Sequence, residues 1–423
     1  MRLIIAFLCL MAASTAALAE NAVFSLVRTV TAAELNQMLD QERAKFISGM
    51  TPGDGYELPP VSTAANGVEV YTVRYDSRIP EQDDKKITAT GLLVLPVLKD
   101  RAHLPLISYQ HGTVFGKQEV PSFSFDSGNA SYDGAYETRY MAGLFAGNGY
   151  ALFAADYFGM GGSAALPEAF FVKSSTQRAS ADLYWDVKAF LTSKGIEPGQ
   201  LFLGGWSLGG LNTSGLLERL ESDGVPVTAT FTASAPSDPF AALSGLMFYP
   251  RAGLDAPWLN TIVAMTVFAY QNYYGPADLA ATTLDPSVYD DMKAIYDRSY
   301  DGVEGFKAIM TRLGDRPLVN YLKPELRDPA RFANSRYAAL LRQAETYRQN
   351  FKSPLHMFYG SQDEVIKEMI GQLAAIYQGI LIGNLSDQGQ NLVAAQEVKG
   401  ANHRLNFVAA APAAKAWMDT LRK

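Results

Sequence analysis

Short apolar runs alternate with amphipathic stretches over residues 104–233, and no other feature of the sequence limits the possible folds as strongly. The runs are typical of buried strands, and the stretches between them put apolar residues on one face of a helix. Strands that alternate with helices predict the α/β class, a mostly parallel sheet with helices on both faces. The pattern predicts strands at Leu104–Tyr109, Tyr150–Ala155, Gln200–Gly204 and Val225–Ala233, and helices at Ala135–Gly147, Arg178–Leu191 and Leu208–Leu220.

Strand-like runs also flank this alternating region. Val68–Tyr75 and Ile87–Val97 are rich in β-branched and aromatic residues, which predicts an antiparallel pair ahead of the parallel strands. The pattern resumes at Pro354–Tyr359 and ends with a strand at about Ala395–Lys399, and an amphipathic helix follows each of these two strands.

Residues 238–351 separate the two parts of this predicted core, 67–237 and 352–423, and contain almost no strand-like run. They contain helical patterns instead: Asp285-Pro286 is typical of a helix start, and an apolar stripe at helical spacing follows it. The segment is also rich in tyrosine and phenylalanine. We therefore expect a helical cap, or lid, inserted into the core, and its aromatic residues suggest an apolar pocket.

Residues 20–66 precede the predicted core. One helix is predicted over Thr31–Phe46, with Thr31 as its cap, and a proline- and glycine-rich stretch follows. We expect these residues to form a peripheral N-terminal arm.

The first 19 residues have the pattern of a secretory signal peptide. A positive start at Arg2 precedes an apolar run from Leu3 to Ala13, and Ala17-Leu18-Ala19 is typical of a cleavage site. We predict cleavage after Ala19 and export to the periplasm or the medium. Cys9, the sole cysteine, would leave with the signal peptide, so we expect no thiol and no disulfide in the mature chain.

Charge and composition argue against several classes of partner. The formal net charge is −7, and an acidic surface does not favour nucleic acid, because phosphate binding needs a basic patch. No stretch after residue 20 reaches the roughly 18 consecutive apolar residues that a membrane-spanning helix needs. The four histidines lack the spacing of a zinc-binding helix, and we expect neither a metal nor a cofactor. The sequence leaves the oligomeric state open.

Gly205-Trp206-Ser207-Leu208-Gly209 carries the main chemical signal. It lies between the predicted strand that ends at Gly204 and the predicted helix that begins at Leu208. A nucleophilic serine needs this position, because a sharp strand-to-helix turn exposes its hydroxyl group. Glycines flank such a turn, since side chains there would collide with the neighbouring strand or helix. The alternative is a glycine-rich turn with an incidental serine.

A serine hydroxyl is a poor nucleophile unless a base removes its proton. His403 follows the last predicted strand and precedes the last helix, where the chain order of serine, acid and histidine requires the base. Of the other histidines, His103 precedes a strand, His111 follows one and His356 lies inside one. We therefore predict that His403 is the general base, and the alternative is a surface loop histidine.

The base needs a carboxylate that orients it and stabilises the imidazolium ion. Asp363 follows the predicted strand Pro354–Tyr359, at the edge where the catalytic residues of open α/β sheets gather. Glu364 and Asp238 are the alternatives. Asp363 could also cap the next helix, and we do not expect one carboxylate to serve easily as both cap and catalytic acid.

An acyl-transfer site needs two backbone N–H donors for the oxyanion. We predict the amide of Leu208, directly after the serine, and the amide of Thr113, in the loop Gln110-His111-Gly112-Thr113. His111 is expected to hold this loop by hydrogen bonding. The glycine-rich loop Asp156–Ser163 is expected to shape the floor of the site, because its glycine spacing is not that of a dinucleotide-binding loop.

These motifs resemble, in type and order, those of the α/β-hydrolase superfamily. Within it they are similar to the secretory lipases of the Candida lipase A type and related bacterial esterases, which also have a Gln-His-Gly oxyanion loop and a helical lid before the acid. The resemblance covers residues 67–237 and 352–423. It implies an α/β-hydrolase fold and a serine esterase or lipase that acts on a small-molecule ester or a lipid. The motifs that carry it are Tyr109-Gln110-His111-Gly112-Thr113, Asp156-Tyr157-x-Gly, Gly205-Trp206-Ser207-Leu208-Gly209-Gly210, Asp363 and His403.

The sequence therefore predicts an exported serine hydrolase that cleaves carboxylic esters through an acyl-enzyme intermediate. Two alternatives stay open. A serine peptidase or amidase on the same fold would need an acidic pair that binds a peptide amine, and Asp290-Asp291 is the obvious candidate. A non-catalytic protein could keep the same fold for ligand binding.

Overall fold

The computed structural model describes residues 22–128 and 135–423. The predicted signal peptide, its cleavage site and Cys9 lie outside these residues and stay predictions. A sheet of nine strands runs through the described part of the chain. The strands are β1 (Val23–Val30), β2 (Val68–Ile79), β3 (Lys85–Pro96), β4 (His103–Gln110), β5 (Ala151–Ala155), β6 (Glu197–Trp206), β7 (Ala229–Ala233), β8 (Leu355–Gly360) and β9 (Val393–Val398).

The strands lie side by side in the order β1-β2-β3-β5-β4-β6-β7-β8-β9. The six strands from β4 to β9 run parallel to one another. In contrast, β1 pairs with β2, β2 with β3 and β3 with β5 in antiparallel fashion. The prediction of a mostly parallel sheet behind an antiparallel pair is confirmed.

Helices cover both faces of the sheet, as the sequence predicts. Side chains alternate across β3: Leu92 and Val94 face one layer, and Leu93 and Leu95 face the other. The helices are α1 (Ala32–Ile47), α2 (Tyr136–Leu144), α3 (Lys173–Ser193), α4 (Leu208–Ser222), α5 (Pro239–Phe248), α6 (Asn260–Tyr274), α7 (Leu279–Thr283), α8 (Tyr289–Asp297), α9 (Gly302–Leu313), α10 (Pro329–Ala333), α11 (Arg336–Gln343), α12 (Glu368–Ile376) and α13 (His403–Leu421). The first layer contains α1, α2 and α13, and the second contains α3, α4 and α12. None of the helices in the described ranges is both long and apolar enough to cross a membrane.

The N-terminal arm is part of the core, whereas the sequence suggested a peripheral segment with one helix. β1 extends the sheet beside β2. α1 begins after Thr31, whose hydroxyl accepts the Glu34 amide while the Glu34 carboxylate accepts the Thr31 amide. Phe46, near the end of α1, is fully buried. β1 escapes sequence prediction because most of its side chains are exposed at the sheet edge, which leaves little apolar alternation to detect.

Residues 239–351, all of them described, form α5 to α11 and add no strand to the sheet. We call these residues the inserted segment. Several aromatic residues that suggested a pocket, including Phe268, Tyr270 and Tyr273, are instead buried in the apolar core. The action of the inserted segment as a lid stays a prediction.

The carboxyl ends of the parallel strands meet at one edge of the sheet. The register pairs Gln110 of β4 with Gly205 of β6, and Gly360 of β8 with Val398 of β9. The loops that follow these strands therefore leave the sheet at the same edge, where α/β folds place their sites. They carry, or lead directly into, four of the five predicted site residues, Thr113, Ser207, Asp363 and His403.

A buried ion pair fastens the arm to the core and yields a stability prediction. Arg139 of α2 donates from Nε to Glu42 of α1 at 2.7 Å, and both side chains are at most 2% exposed. The substitution Arg139→Ala should lower the free energy of unfolding by about 3–5 kcal/mol, because the buried Glu42 carboxylate then loses its ion pair with the guanidinium group. Arg219→Ala is the control, since Arg219 and Asp223 also lie 2.7 Å apart but are about one-third exposed. Its effect in urea denaturation should stay below about 1 kcal/mol, and equal losses would contradict the argument.

Candidate active site

Ser207 occupies a sharp turn between the end of β6 and the start of α4. Its φ of 57° and ψ of −124° lie in a region that costs a residue with a side chain roughly 1–3 kcal/mol. The Ser207 amide donates to the Ala233 carbonyl of β7 at 2.8 Å, which fixes the turn against the neighbouring strand. A Cβ atom on Gly205 would lie 2.3 Å from the Gly209 carbonyl oxygen, and one on Gly209 only 1.9 Å from the Gln110 carbonyl oxygen. Both flanking glycines are therefore required by close backbone contacts.

His403 lies at the first turn of α13, with its imidazole between Ser207 and Asp363. Its Nε2 is 3.0 Å from the Ser207 Oγ, and its Nδ1 is 3.0 Å from each carboxylate oxygen of Asp363. All three side chains are buried. With Asp363 ionised, Nδ1–H donates to the carboxylate and Nε2 accepts the Ser207 hydroxyl proton. The structure thus brings the three predicted residues together in a continuous hydrogen-bonded series, and their catalytic role stays a prediction.

Asp363 accepts hydrogen bonds from the turn that follows it as well as from the imidazole. Its Oδ1 faces His403 and also accepts the backbone amides of Val365 and Ile366, each at 2.8 Å. One carboxylate oxygen can accept all of these donors because it has more than one lone pair. In addition, α12 begins only at Glu368, so Asp363 caps the preceding turn rather than the helix itself.

The charges of Asp363 and His403 stabilise each other. Burial alone would raise the pKa of Asp363, but the imidazole and the hydrogen bonds outweigh it and hold the pKa below 3.8. Burial would likewise lower the pKa of His403, but the Asp363 carboxylate raises it above 6.5. An imidazolium ion at this position is therefore stabilised, as a base that receives a proton requires.

The two alternative acids have other partners. Glu364 accepts the backbone amide of His403 at 3.0 Å and does not contact the imidazole through a hydrogen bond. Asp238 caps α5 by accepting the Ala241 amide, and its second oxygen accepts the Tyr347 hydroxyl. Asp363 is therefore the carboxylate that the described structure pairs with the imidazole.

The two predicted oxyanion donors lie beside Ser207. Thr113, Ser207 and Leu208 line one cavity, and the amides of Thr113 and Leu208 donate to no other group in the part of the chain that the structure describes. Apart from these three residues the cavity is apolar, with walls from α5, α6 and the loop after Asp363. Trp258 is the one aromatic residue of the inserted segment in this lining.

Core residues hold the loop that carries Thr113 on one side. His111 donates from Nδ1 to the Gly112 carbonyl at 2.8 Å and stacks on Tyr157, with ring centroids 4.3 Å apart. Burial lowers the pKa of His111 to about 4, so its ring is neutral at neutral pH. Asp156 is also buried and accepts the Ser122 amide and the Thr90 hydroxyl. Both residues therefore support the loops around the cavity.

The inserted segment also holds the loop that carries Thr113. Arg298, which follows α8, pairs with buried Glu168 and donates to the Val114 carbonyl at 3.2 Å. The Tyr300 hydroxyl donates to the Phe115 carbonyl at 2.9 Å. Sequence reasoning did not find these contacts, because they join residues that are 130 to 185 positions apart in the chain.

Glu137 is the residue near the site that sequence reasoning missed. It is buried in α2, and its Oε1 accepts the Gly112 amide at 2.6 Å, one residue before the predicted donor Thr113. Burial raises the pKa of Glu137 to about 8, although the Gly112 amide acts in the opposite direction. A signal was present, because Glu137 and Arg139 are charged residues in an otherwise largely apolar helix, and buried charges need partners.

No group of histidine, cysteine, aspartate and glutamate side chains within the described ranges could hold a metal ion. The arrangement offers a hydroxyl beside a base, an acid that orients the base, and the backbone amides of two residues that line the same cavity.

Comparisons with known proteins agree with this architecture. A family model described as "Alpha/beta hydrolase family" matches residues 120–416. A Legionella pneumophila protein described as a candidate hydrolase superposes with a TM-score of 0.72 at 19% identity, over 95% of this chain and 97% of that one. The rice cell wall degrading esterase LipA from Xanthomonas oryzae gives 0.70 at 15% identity, over 95% and 98%. Lipase A from Candida antarctica gives 0.60 at 13% identity, over 90% and 77%. No curated protein matches the chain in sequence.

The pairing of His403 with Asp363 can be tested by titration. In the wild type the imidazole pKa of His403 should lie above 6.5, and in Asp363→Asn it should fall below 6.5, because burial then acts without the carboxylate. The measurement is the pH dependence of the histidine ring signals in NMR spectra. His111 is an internal control whose pKa of about 4 should not change. An unchanged His403 pKa would show that Asp363 does not control the imidazole.

Proposed function

The chain belongs to the alpha/beta hydrolase family, and from this premise we propose that it is an exported serine hydrolase that cleaves carboxylic esters. One observation carries the proposal: the hydrogen-bonded series from Asp363 through His403 to Ser207, with 3.0 Å at each step, ends at a cavity that Ser207 lines together with Thr113 and Leu208, the residues of the two predicted oxyanion amides. Export is supported by the sequence of residues 1–19.

In the proposed reaction, the Ser207 Oγ attacks the ester carbonyl while the His403 Nε2 takes the hydroxyl proton. Asp363 stabilises the resulting imidazolium ion. The carbonyl oxygen becomes an oxyanion between the amides of Leu208 and Thr113. Such donors are worth about 10²–10³-fold in rate each, because they are fixed before charge develops.

The tetrahedral intermediate then collapses. The alcohol leaves with the proton from the Nε2–H of His403, and the acyl group stays on the Ser207 oxygen as an ester. A water molecule gives its proton to the same nitrogen and attacks the acyl carbon. The second intermediate releases the carboxylic acid and restores the Ser207 hydroxyl. The three residues complete this cycle with no redox step.

An ester substrate is better supported than a peptide. The acidic pair suggested for a peptide amine, Asp290-Asp291, does not line the cavity at Ser207. Asp291 is paired with Arg312 through both carboxylate oxygens, and Asp290 is exposed. The remaining wall of the cavity is apolar and suits an acyl group. Two proteins with a similar fold, the rice cell wall degrading esterase LipA and Candida antarctica lipase A, are named as an esterase and a lipase.

The nucleophile is tested by p-nitrophenyl ester hydrolysis with residues 20–423. Ser207→Ala should lower kcat/KM at least about 10⁴-fold, because no other group takes the role of the hydroxyl. Ser214→Ala is the matched control, since Ser214 is a buried serine of the same helix that does not line the cavity, and its activity should stay near wild type.

Each other outcome favours a different function. Full activity in Ser207→Ala would show that another residue is the nucleophile. Absence of ester hydrolysis with Ser207 still labelled by an organophosphonate would favour a peptidase or amidase. Absence of both activity and labelling would favour a ligand-binding protein.

Glu137 provides a pH prediction for the same assay. Because its pKa is about 8, the carboxyl is mostly neutral at pH 7 and ionises as the pH rises further. The new negative charge beside Gly112 opposes the oxyanion, so kcat should decline above pH 8. Glu137→Gln keeps an oxygen acceptor for the Gly112 amide and cannot ionise, so it should retain activity at pH 7 and lose this decline. Glu137→Ala lacks the acceptor and should lose up to about 100-fold in kcat, since the loop is no longer positioned. An identical alkaline decline in Glu137→Gln would exclude Glu137 as its source.

A further inference from the structure

Two cavities lie on either side of the same pair of leucines. The cavity at Ser207 is small: the space open to the centre of a water molecule is about 30 Å³. A second cavity, within the inserted segment, has about 420 Å³ by the same measure. Leu246 of α5 and Leu259, just before α6, line both cavities, and each is about 5% exposed or less. These two side chains therefore form a wall between them.

The geometry of the proposed reaction decides which part of an ester enters the small cavity. The leaving alcohol must lie against the His403 Nε2, which gives it a proton. His403 does not line the cavity, whereas Ser207 and the residues of both oxyanion amides do. The acyl group stays bonded to Ser207 with its oxygen at these amides, so the acyl chain must extend into the apolar cavity.

The cavity holds only a short chain. A single water molecule needs about 10–15 Å³ on this measure, so 30 Å³ admits about two or three atoms beyond the carbonyl. A longer chain enters the larger cavity only if it displaces these two leucines. We propose that Leu246 and Leu259 restrict this protein to esters of short acyl chains, of about two to four carbons, and that the large cavity is closed to the acyl chain by these two residues. This inference rests on the proposed esterase function.

The wall is anchored to the loop that carries Asp363. Lys367 donates from Nζ to the Gly245 carbonyl at 2.8 Å and to the Tyr249 carbonyl, at the end of α5. Arg251 donates from Nη2 to the Asp363 carbonyl at 2.8 Å. The Ala256 amide, just before the turn that contains Leu259, donates to the Glu364 carbonyl at 2.9 Å. Displacement of the wall would strain these hydrogen bonds, which explains why we expect it to resist a long acyl chain.

The test is a chain-length profile with p-nitrophenyl esters from acetate to palmitate. Wild type should be fastest on acetate to butyrate. Leu246→Ala should join the two cavities and raise the ratio of octanoate to acetate kcat/KM at least about tenfold. Leu243→Ala is the matched control, because Leu243 lines the small cavity alone, and it should extend the optimum by only one or two carbons. Adding Leu318→Trp to Leu246→Ala should narrow the large cavity, which Leu318 lines, and lower the ratio of octanoate to acetate kcat/KM again.

The outcomes separate this inference from the proposed function. Ser207-dependent hydrolysis with a wild-type optimum at octanoate or longer would contradict the proposed restriction by Leu246 and Leu259, and the proposed esterase function would remain. An unchanged profile in both Leu246→Ala and Leu259→Ala would do the same. Labelling of Ser207 by ethyl and octyl phosphonates confirms folding of each variant. When the wall is removed, the rate of labelling by the octyl phosphonate should rise relative to that by the ethyl phosphonate. Absence of hydrolysis on every ester would overturn both proposals.

Discussion

The strained turn at Ser207 is the constraint on which the rest of the site depends. A residue with a side chain at φ 57° persists only where its surroundings hold it, and here the support comes from three directions. The Ser207 amide is bonded to β7, Gly209 touches the backbone after β4, and Gly210 packs against Ala235. The same contacts determine where the hydroxyl points and where the Leu208 amide lies. Sheet register and α4 packing therefore place both groups together.

Burial acts differently on two carboxyl groups near this turn. Asp363 faces an imidazole and two amides, and these partners hold its pKa below the ordinary value despite burial. For Glu137, the Gly112 amide and the Tyr109 hydroxyl do not outweigh burial, which raises its pKa to about 8. Near neutral pH the first is charged and the second is mostly neutral. The ionised carboxylate therefore lies beside the His403 imidazole, and the carboxyl group beside the loop where an oxyanion would form is mostly neutral.

Sequence patterns predict what depends on neighbours along the chain. The alternation of strands and helices predicts the parallel sheet, and the position of Gly205–Gly209 predicts the turn, because both are local patterns. Asp363 and His403 could be predicted because chain order assigns them to the edge where strands end. The contact of Glu137 with Gly112 could not, since the two residues meet only through packing of α2 on the sheet. β1 could not either, because an exposed edge strand has little apolar pattern. Cavity size depends on side chains from α5, α6 and the loop at 363–367, and no local pattern contains that information.

The inserted segment and the core are not independent parts of the site. Arg298 and Tyr300 hold the loop that carries Thr113, while Arg251 and the Ala256 amide hold the loop that carries Asp363. Each contact ends on a backbone carbonyl, so it positions the chain and leaves the reactive side chains free. The segment that forms the wall of the cavity is therefore the same segment that supports the loops of one oxyanion donor and of the acid. A change in the inserted segment that alters the shape of the cavity acts on those loops as well, and for this reason recognition of the acyl group and the geometry of the hydrogen-bonded series share one support.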